Sequence, residues 1–169
     1  DGIPYRTIAG TSPTRGAFVT RGSSRDEYGV YTEDAEAYRR NVDRLARKWE
    51  TAKELVPQPE FPEPQRRGDA ERVSSPHVSK GSTDRQDGVI FFGTSTYSAE
   101  EAVEQLSEAG IHLDAMRVRA FPFGKVFRDF VDAHDRIFVI EQNRDAQFRS
   151  LMMIELGINP EKLISVLNK

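Results

Sequence analysis

Side chains able to do chemistry gather behind two apolar runs. Gly93-Thr94-Ser95-Thr96 follows Val89-Ile90-Phe91-Phe92, and Glu141-Gln142-Asn143-Arg144-Asp145 follows Ile137-Phe138-Val139-Ile140. Hydroxyls and backbone N–H groups ahead of a helix can hold an anion. Thr and Ser at such a place can equally cap the helix, and both readings stand for Thr94, Ser95 and Thr96. Neither GxGxxG nor GxxxxGK[ST] occurs, which argues against a conventional nucleotide site. Glu141, closing an apolar strand, is a candidate acid or base if burial raises its pKa. The competing reading makes it a structural partner for Arg144, with Asp145 capping the following helix.

A second group lies near the start of the chain, where Arg6, Arg15, Arg21 and Arg25 are interspersed with Gly, Thr11, Thr20 and Ser23 and no Lys precedes Lys48. A guanidinium fork holds a carboxylate or phosphate through two parallel hydrogen bonds. Alternatively these arginines form a solvated loop paired with Asp26 and Glu27, which contributes little energy. His77, His112 and His134 show no ligand spacing and no evident carboxylate partner set, so no metal site and no catalytic residue is assigned.

The elements that must position these groups follow from periodicity. Residues 88–93 read as a buried parallel strand. Ser98 and Glu101 form a capping box for a helix with Ala99, Ala102, Val103, Leu106 and Ala109 on one face, stopped by Gly110. In Leu113–Ala120, Met116 and Val118 alternate with Arg117 and Arg119, which suits an edge strand. Pro122 opens a helix burying Val126, Phe127, Phe130, Val131 and Ala133. Residues 136–141 form another apolar strand, 145–156 a helix ended by Gly157, and 163–167 a fourth strand. This βαβαβαβ pattern predicts an α/β fold: a doubly wound, mostly parallel sheet of four to five strands in the order 2-1-3-4. The switch point then falls between the first and third strands, beside Thr94 and Gln142.

The rest of the chain is unlike this. Residues 57–87 hold Phe61, Ala70, Val73 and Val78 as their only apolar side chains, among five prolines. They read as an extended linker, because so little apolar surface cannot offset ordering entropy. Residues 33–56 read as a helix with Val42, Leu45, Trp49, Ala52 and Val56 on one stripe, behind Thr32 and an acidic first turn. That stripe needs a partner surface.

Composition narrows the function. The 24 Lys+Arg against 27 Asp+Glu argue against a dedicated nucleic-acid partner. No run of about 18 apolar residues predicts a membrane span, and Asp1-Gly2-Ile3-Pro4-Tyr5-Arg6 lacks the layout of a signal peptide. With no Cys, disulfides, thiolate zinc sites and Cys-ligated iron–sulfur clusters are excluded within the chain. The absence of Met at position 1 suggests a processed chain or a piece of a longer one.

Gly2-Ile3-Pro4-Tyr5-Arg6-Thr7, Gly10-Thr11, Thr20-Arg21-Gly22, Asp26-Glu27-Tyr28-Gly29 and Glu141-Gln142-Asn143-Arg144-Asp145-Ala146-Gln147 together resemble the C-terminal part of the α subunit of 2-oxoacid:ferredoxin oxidoreductases, nearest the 2-oxoglutarate type. The resemblance implies that 1–56 is the tail of a thiamine pyrimidine-binding-type domain, 57–87 a linker and 88–169 a transketolase C-terminal-like α/β domain. It implies oxidative decarboxylation of a 2-oxoacid to an acyl-CoA by a cytoplasmic complex that passes electrons to ferredoxin. Thiamine diphosphate, magnesium, iron–sulfur clusters and coenzyme A are implied for that complex, and none for this stretch alone. The partners implied are the β subunit and the remainder of the α subunit, and the isolated stretch is expected to be inactive. Arg6, Arg21 and Thr11 become candidates for the 2-oxoacid carboxylate. Thr94, Ser95, Thr96, Glu141, Gln142, Asn143, Arg144, Asp145 and Gln147 become a crevice or subunit interface. The alternative, without the resemblance, is a stand-alone α/β module that binds a small anion or another protein.

Overall fold

A computed structural model of the chain describes residues 1–5, 7–16, 22, 24–62 and 86–167. Two compact units result, Asp1–Leu55 and Val56–Lys169. Arg6 and Arg21, His77, and most of the expected linker lie outside the described residues.

In the second unit the expected order is found. Strands β1 (Asp87–Phe92), β2 (Asp114–Val118), β3 (Arg136–Glu141) and β4 (Leu163–Leu167) pair in parallel in the order β2-β1-β3-β4. Helices α2 (Thr96–Glu108), α3 (Lys125–Ala133) and α4 (Gln147–Leu156) connect them. The central strand β1 is buried on both faces, so its run is continuously apolar rather than alternating. Val89 and Phe91 pack with Ala99 and Val103 of α2. Ile90 faces the other way, onto Met116, Phe127, Ile137, Val139 and Met152 beneath α3 and α4. Burial of each such large side chain contributes about 1.5–3 kcal/mol.

Three boundaries move from where the periodicity puts them. β1 runs directly into a 3-10 turn at Gly93–Ser95 that continues as α2, so Ser98 lies inside the first turn instead of capping it. Pro122 follows a cis peptide bond and precedes the helix, which opens after Gly124; Val126 and Ala133 lie on its exposed side. Helix α4 begins at Gln147, after Ala146 in a left-handed conformation, and ends at Gly157 with φ 63°. A left-handed residue at that end suits glycine.

The amino ends of the strands carry a polar cluster. Arg136 embraces Asp87 across the β1–β3 pair. His134 is buried, its Nδ1 2.7 Å from the Phe130 carbonyl and its Nε2 3.0 Å from Asp114 Oδ2. Gly88 makes room for it: a Cβ there would stand 3.1 Å from the imidazole carbons. The sequence shows no carboxylate beside this His because Asp114 arrives from β2, twenty positions away.

In the first unit, α1 (Ala35–Leu55) is capped by Asp34, whose carboxylate accepts the Ala37 N–H at 2.9 Å, and not by Thr32. Arg44 donates to the Gly2 carbonyl (3.0 Å) and Thr51 to that of Asp1 (2.7 Å), so the first residues run along the helix. Val42, Leu45 and Trp49 of its apolar stripe are exposed. Asp26 spends its carboxylate on the Tyr28 and Val30 N–H groups of its own turn, while Glu27 pairs with Arg40.

Candidate functional site

The carboxyl ends of β1 and β3 meet at the topological switch, where open α/β sheets bind ligands. Glu141 ends β3 with its side chain completely buried. Strand alternation turns Ile137, Val139 and Glu141 to the same face, toward α4. The first N–H groups of that helix have no partner within it and seek an acceptor. Phe148 N–H donates to Glu141 Oε2 at 2.9 Å and Arg149 N–H to Oε1 at 3.3 Å. The Asn143 side-chain amide donates to the same carboxylate, and its oxygen accepts the Gln147 N–H at 2.9 Å. Glu141 and Asn143 therefore cap α4 together, a charge-assisted arrangement at the positive end of the helix dipole.

The partner and cap expected from the sequence are both displaced by this. Arg144 pairs with its neighbour Asp145 (Nε to Oδ1, 2.6 Å) on the exposed surface rather than with Glu141. Asp145 does not cap the helix, because the residue beside it, Ala146, turns left-handed with φ 49° and ψ 49°. Across the switch point, the exposed Thr94 hydroxyl donates to Gln142 Oε1 at 3.2 Å. Ser95 and Thr96 are buried, and Thr96 Oγ1 donates to the Gly93 carbonyl at 2.8 Å.

Nine expected residues thus divide. Thr94, Gln142, Arg144, Asp145 and Gln147 form an exposed polar rim, while Ser95, Thr96 and Glu141 are buried and Asn143 is half-buried beneath it. Thr11 belongs to the first unit, where its hydroxyl donates to the Ile8 carbonyl. His112 and His134 lie at the opposite end of the strands. Such a rim can donate and accept hydrogen bonds, and its one guanidinium is paired through two hydrogen bonds with the carboxylate of its neighbour. Bond-making chemistry would need a nucleophile with a positioned base. The rim's described hydrogen bonds join hydroxyl, amide, guanidinium and carboxylate groups instead.

Comparisons with known proteins agree with this fold and with the resemblance. The α subunit of 2-oxoacid:ferredoxin oxidoreductase 2 from Aeropyrum pernix is 25% identical over 170 residues, 99% of this chain and 24% of its own. The corresponding α subunit of Saccharolobus solfataricus is 26% identical over 145 residues, 85% of this chain and 21% of its own. Over nearly all its length the chain is similar to part of such an α subunit. It spans about a quarter of the length of the relatives it matches. No protein-family model matches. The 2-oxoglutarate:ferredoxin oxidoreductase of Magnetococcus marinus, solved with 2-oxoglutarate, coenzyme A and succinyl-CoA bound, superposes with a TM-score of 0.67 at 17% identity, over 95% of this chain and 25% of that one. At that identity the likeness shows the fold alone. No helix among the described residues is long and apolar enough to cross a membrane.

Proposed function

We propose that this chain is the C-terminal part of the α subunit of a thiamine diphosphate-dependent 2-oxoacid:ferredoxin oxidoreductase of the cytoplasm, which converts a 2-oxoacid such as 2-oxoglutarate to its acyl-CoA and reduces ferredoxin. Its share of the work is assembly and shaping of the substrate site. The observation carrying this is the match along 99% of the chain to an α subunit. The exposed rim at the carboxyl ends supports the assembly role, since its side chains are satisfied yet accessible.

The donor set does not fit the complex's metal groups. The chain has no Cys for an iron–sulfur cluster, and among the described residues no three His, Asp or Glu side chains could hold a metal ion. Those groups belong to the rest of the subunit and to the β subunit.

The test is reconstitution. The complete α subunit with its β subunit should reduce ferredoxin when given the 2-oxoacid and coenzyme A, and this chain alone should not. In the complete subunit, Arg144→Ala combined with Gln147→Ala should weaken co-purification with the β subunit at least tenfold without changing the α subunit's own melting. These positions are preferred to Asn143, whose loss would uncap α4. An unchanged assembly profile would remove the interface assignment, and a complex inert toward every 2-oxoacid would remove the enzyme.

A further inference from the structure

We propose that the outer edge of β2 is a recognition site for residues 57–62 of the same chain, a clasp that keeps everything up to Pro62 attached to the α/β unit without the covalent connection through residues 63–85. The reading is independent of the enzymatic one and rests on contacts that the clasp makes with both faces of the sheet.

β2 is the last strand of the sheet on its side. An edge strand presents unpaired N–H and C=O groups, which an extended segment can satisfy by adding itself to the sheet. Glu60 takes that place. It forms an antiparallel bridge with Arg117, donating its N–H to the Arg117 carbonyl at 3.0 Å and accepting the Arg117 N–H at 2.8 Å. Met116 and Val118 enter the core beneath α3, so strand alternation turns Arg117 to the opposite face. There the Glu60 carboxylate spans two guanidinium groups, Arg117 at 2.8 Å and Arg119 at 3.1 Å. The next residue, Phe61, reaches the α3 side and lies against Phe130 with ring centroids 5.8 Å apart. The segment thus grips the edge from both sides.

Its chemistry suits a docked ligand. Pro57, Pro59 and Pro62 restrict the segment to extended conformations, so less freedom is lost when it docks. Two guanidinium groups around one carboxylate select an acid at position 60. In a segment paired at Glu60, positions 57 and 59 turn their backbone outward, and proline there offers no N–H to a further strand.

The return of the chain gives the clasp its consequence. Gln86 donates its N–H to Asp135 Oδ2 at 3.0 Å and accepts the Asp135 N–H at 2.8 Å, just before β1. Residues 62 and 86, which flank 63–85, therefore both belong to the second unit, whereas the chain passes between the units at Leu55–Val56. A cut within 63–85 leaves the clasp to hold the two pieces together.

The experiment inserts a site-specific protease sequence between Ser74 and Ser75 of the whole chain and cuts the folded protein. Sedimentation velocity at submillimolar concentration should show the two pieces together, with the Arg117 amide still protected from exchange. In the Glu60→Lys/Phe61→Ser variant, cut in the same way, the pieces should associate at least tenfold more weakly and the Arg117 amide should exchange at least tenfold faster, while Ile90 and Val139 keep their protection. Parent pieces that separate, variant pieces that hold as tightly, or an Arg117 amide unmoved by the variant would each overturn the proposal. If Ile90 and Val139 also lose protection, Glu60→Ala alone, which keeps Phe61 on Phe130, is judged by the same readouts.

Discussion

The Thr94 hydroxyl donates to the Gln142 side-chain oxygen over 3.2 Å, joining the carboxyl ends of β1 and β3 across 48 positions of sequence. Parallel pairing brings those ends together, because Asp87 to Phe91 run in register with Arg136 to Ile140. The turns that leave β1 and β3 therefore make one surface. Its upper layer is exposed, and below it Glu141 and Asn143 are committed to holding α4.

Glu141 is the keystone of that lower layer. Replacing it with Ala strands the Phe148 and Arg149 N–H groups and frees Asn143, so Glu141→Ala should lower stability by about 2–3 kcal/mol. Glu141→Gln keeps an acceptor and should lose less than half as much. Urea denaturation of the two variants checks this; equal losses would show that packing, and not capping, is what Glu141 supplies.

Ala146 sits at φ 49° immediately before α4. A residue with a Cβ is strained there, and glycine is not. Ala146→Gly should raise stability by about 1 kcal/mol, the reverse of the usual penalty for introducing glycine. A lower midpoint in denaturant would rule out the strain.

His134 couples the fold to pH. Burial pulls its pKa down, but the hydrogen bonds to Asp114 and to the Phe130 carbonyl, with the Asp114 charge, raise it above its ordinary 6.5 against the opposing charge of Lys162. Both ring nitrogens face oxygen acceptors, which only the doubly protonated ring can satisfy. A raised folded-state pKa means that the stabilisation is complete below pH 6.5 and is lost as pH rises through the folded value. Asp114→Asn should flatten that fall in melting temperature on the alkaline side. Imidazole NMR shifts give the His134 titration directly, and a midpoint below 6.5 would refute this coupling.

Arg6 and Arg21 are proposed to meet the 2-oxoacid carboxylate. In the complete enzyme, Arg6→Ala or Arg21→Ala should raise KM for the 2-oxoacid by about tenfold or more, the worth of a charge-assisted hydrogen bond. Unchanged kinetics in both would dismiss them.

Much of the α/β unit is legible in one dimension. Ile90, Val139 and their neighbours lie in unbroken apolar runs because parallel strands are covered on both faces, and Gly157 marks a helix end that needs a left-handed residue. The paired Arg117 and Arg119 likewise announce an edge. Ser98 with Glu101 misplaces the start of α2, since a capping box describes local preference and cannot sense that β1 turns straight into the helix.

Strand identity, strand order and the location of the switch point were thus determined by the sequence itself, through periodicities that act over a few residues. Partnership was decided only by the tertiary structure. Glu141 chooses α4 over Arg144, His134 finds Asp114, and Glu60 takes the edge of β2. Each choice depends on which backbone groups the sheet and helices leave unpaired, and that is known only once the elements have packed.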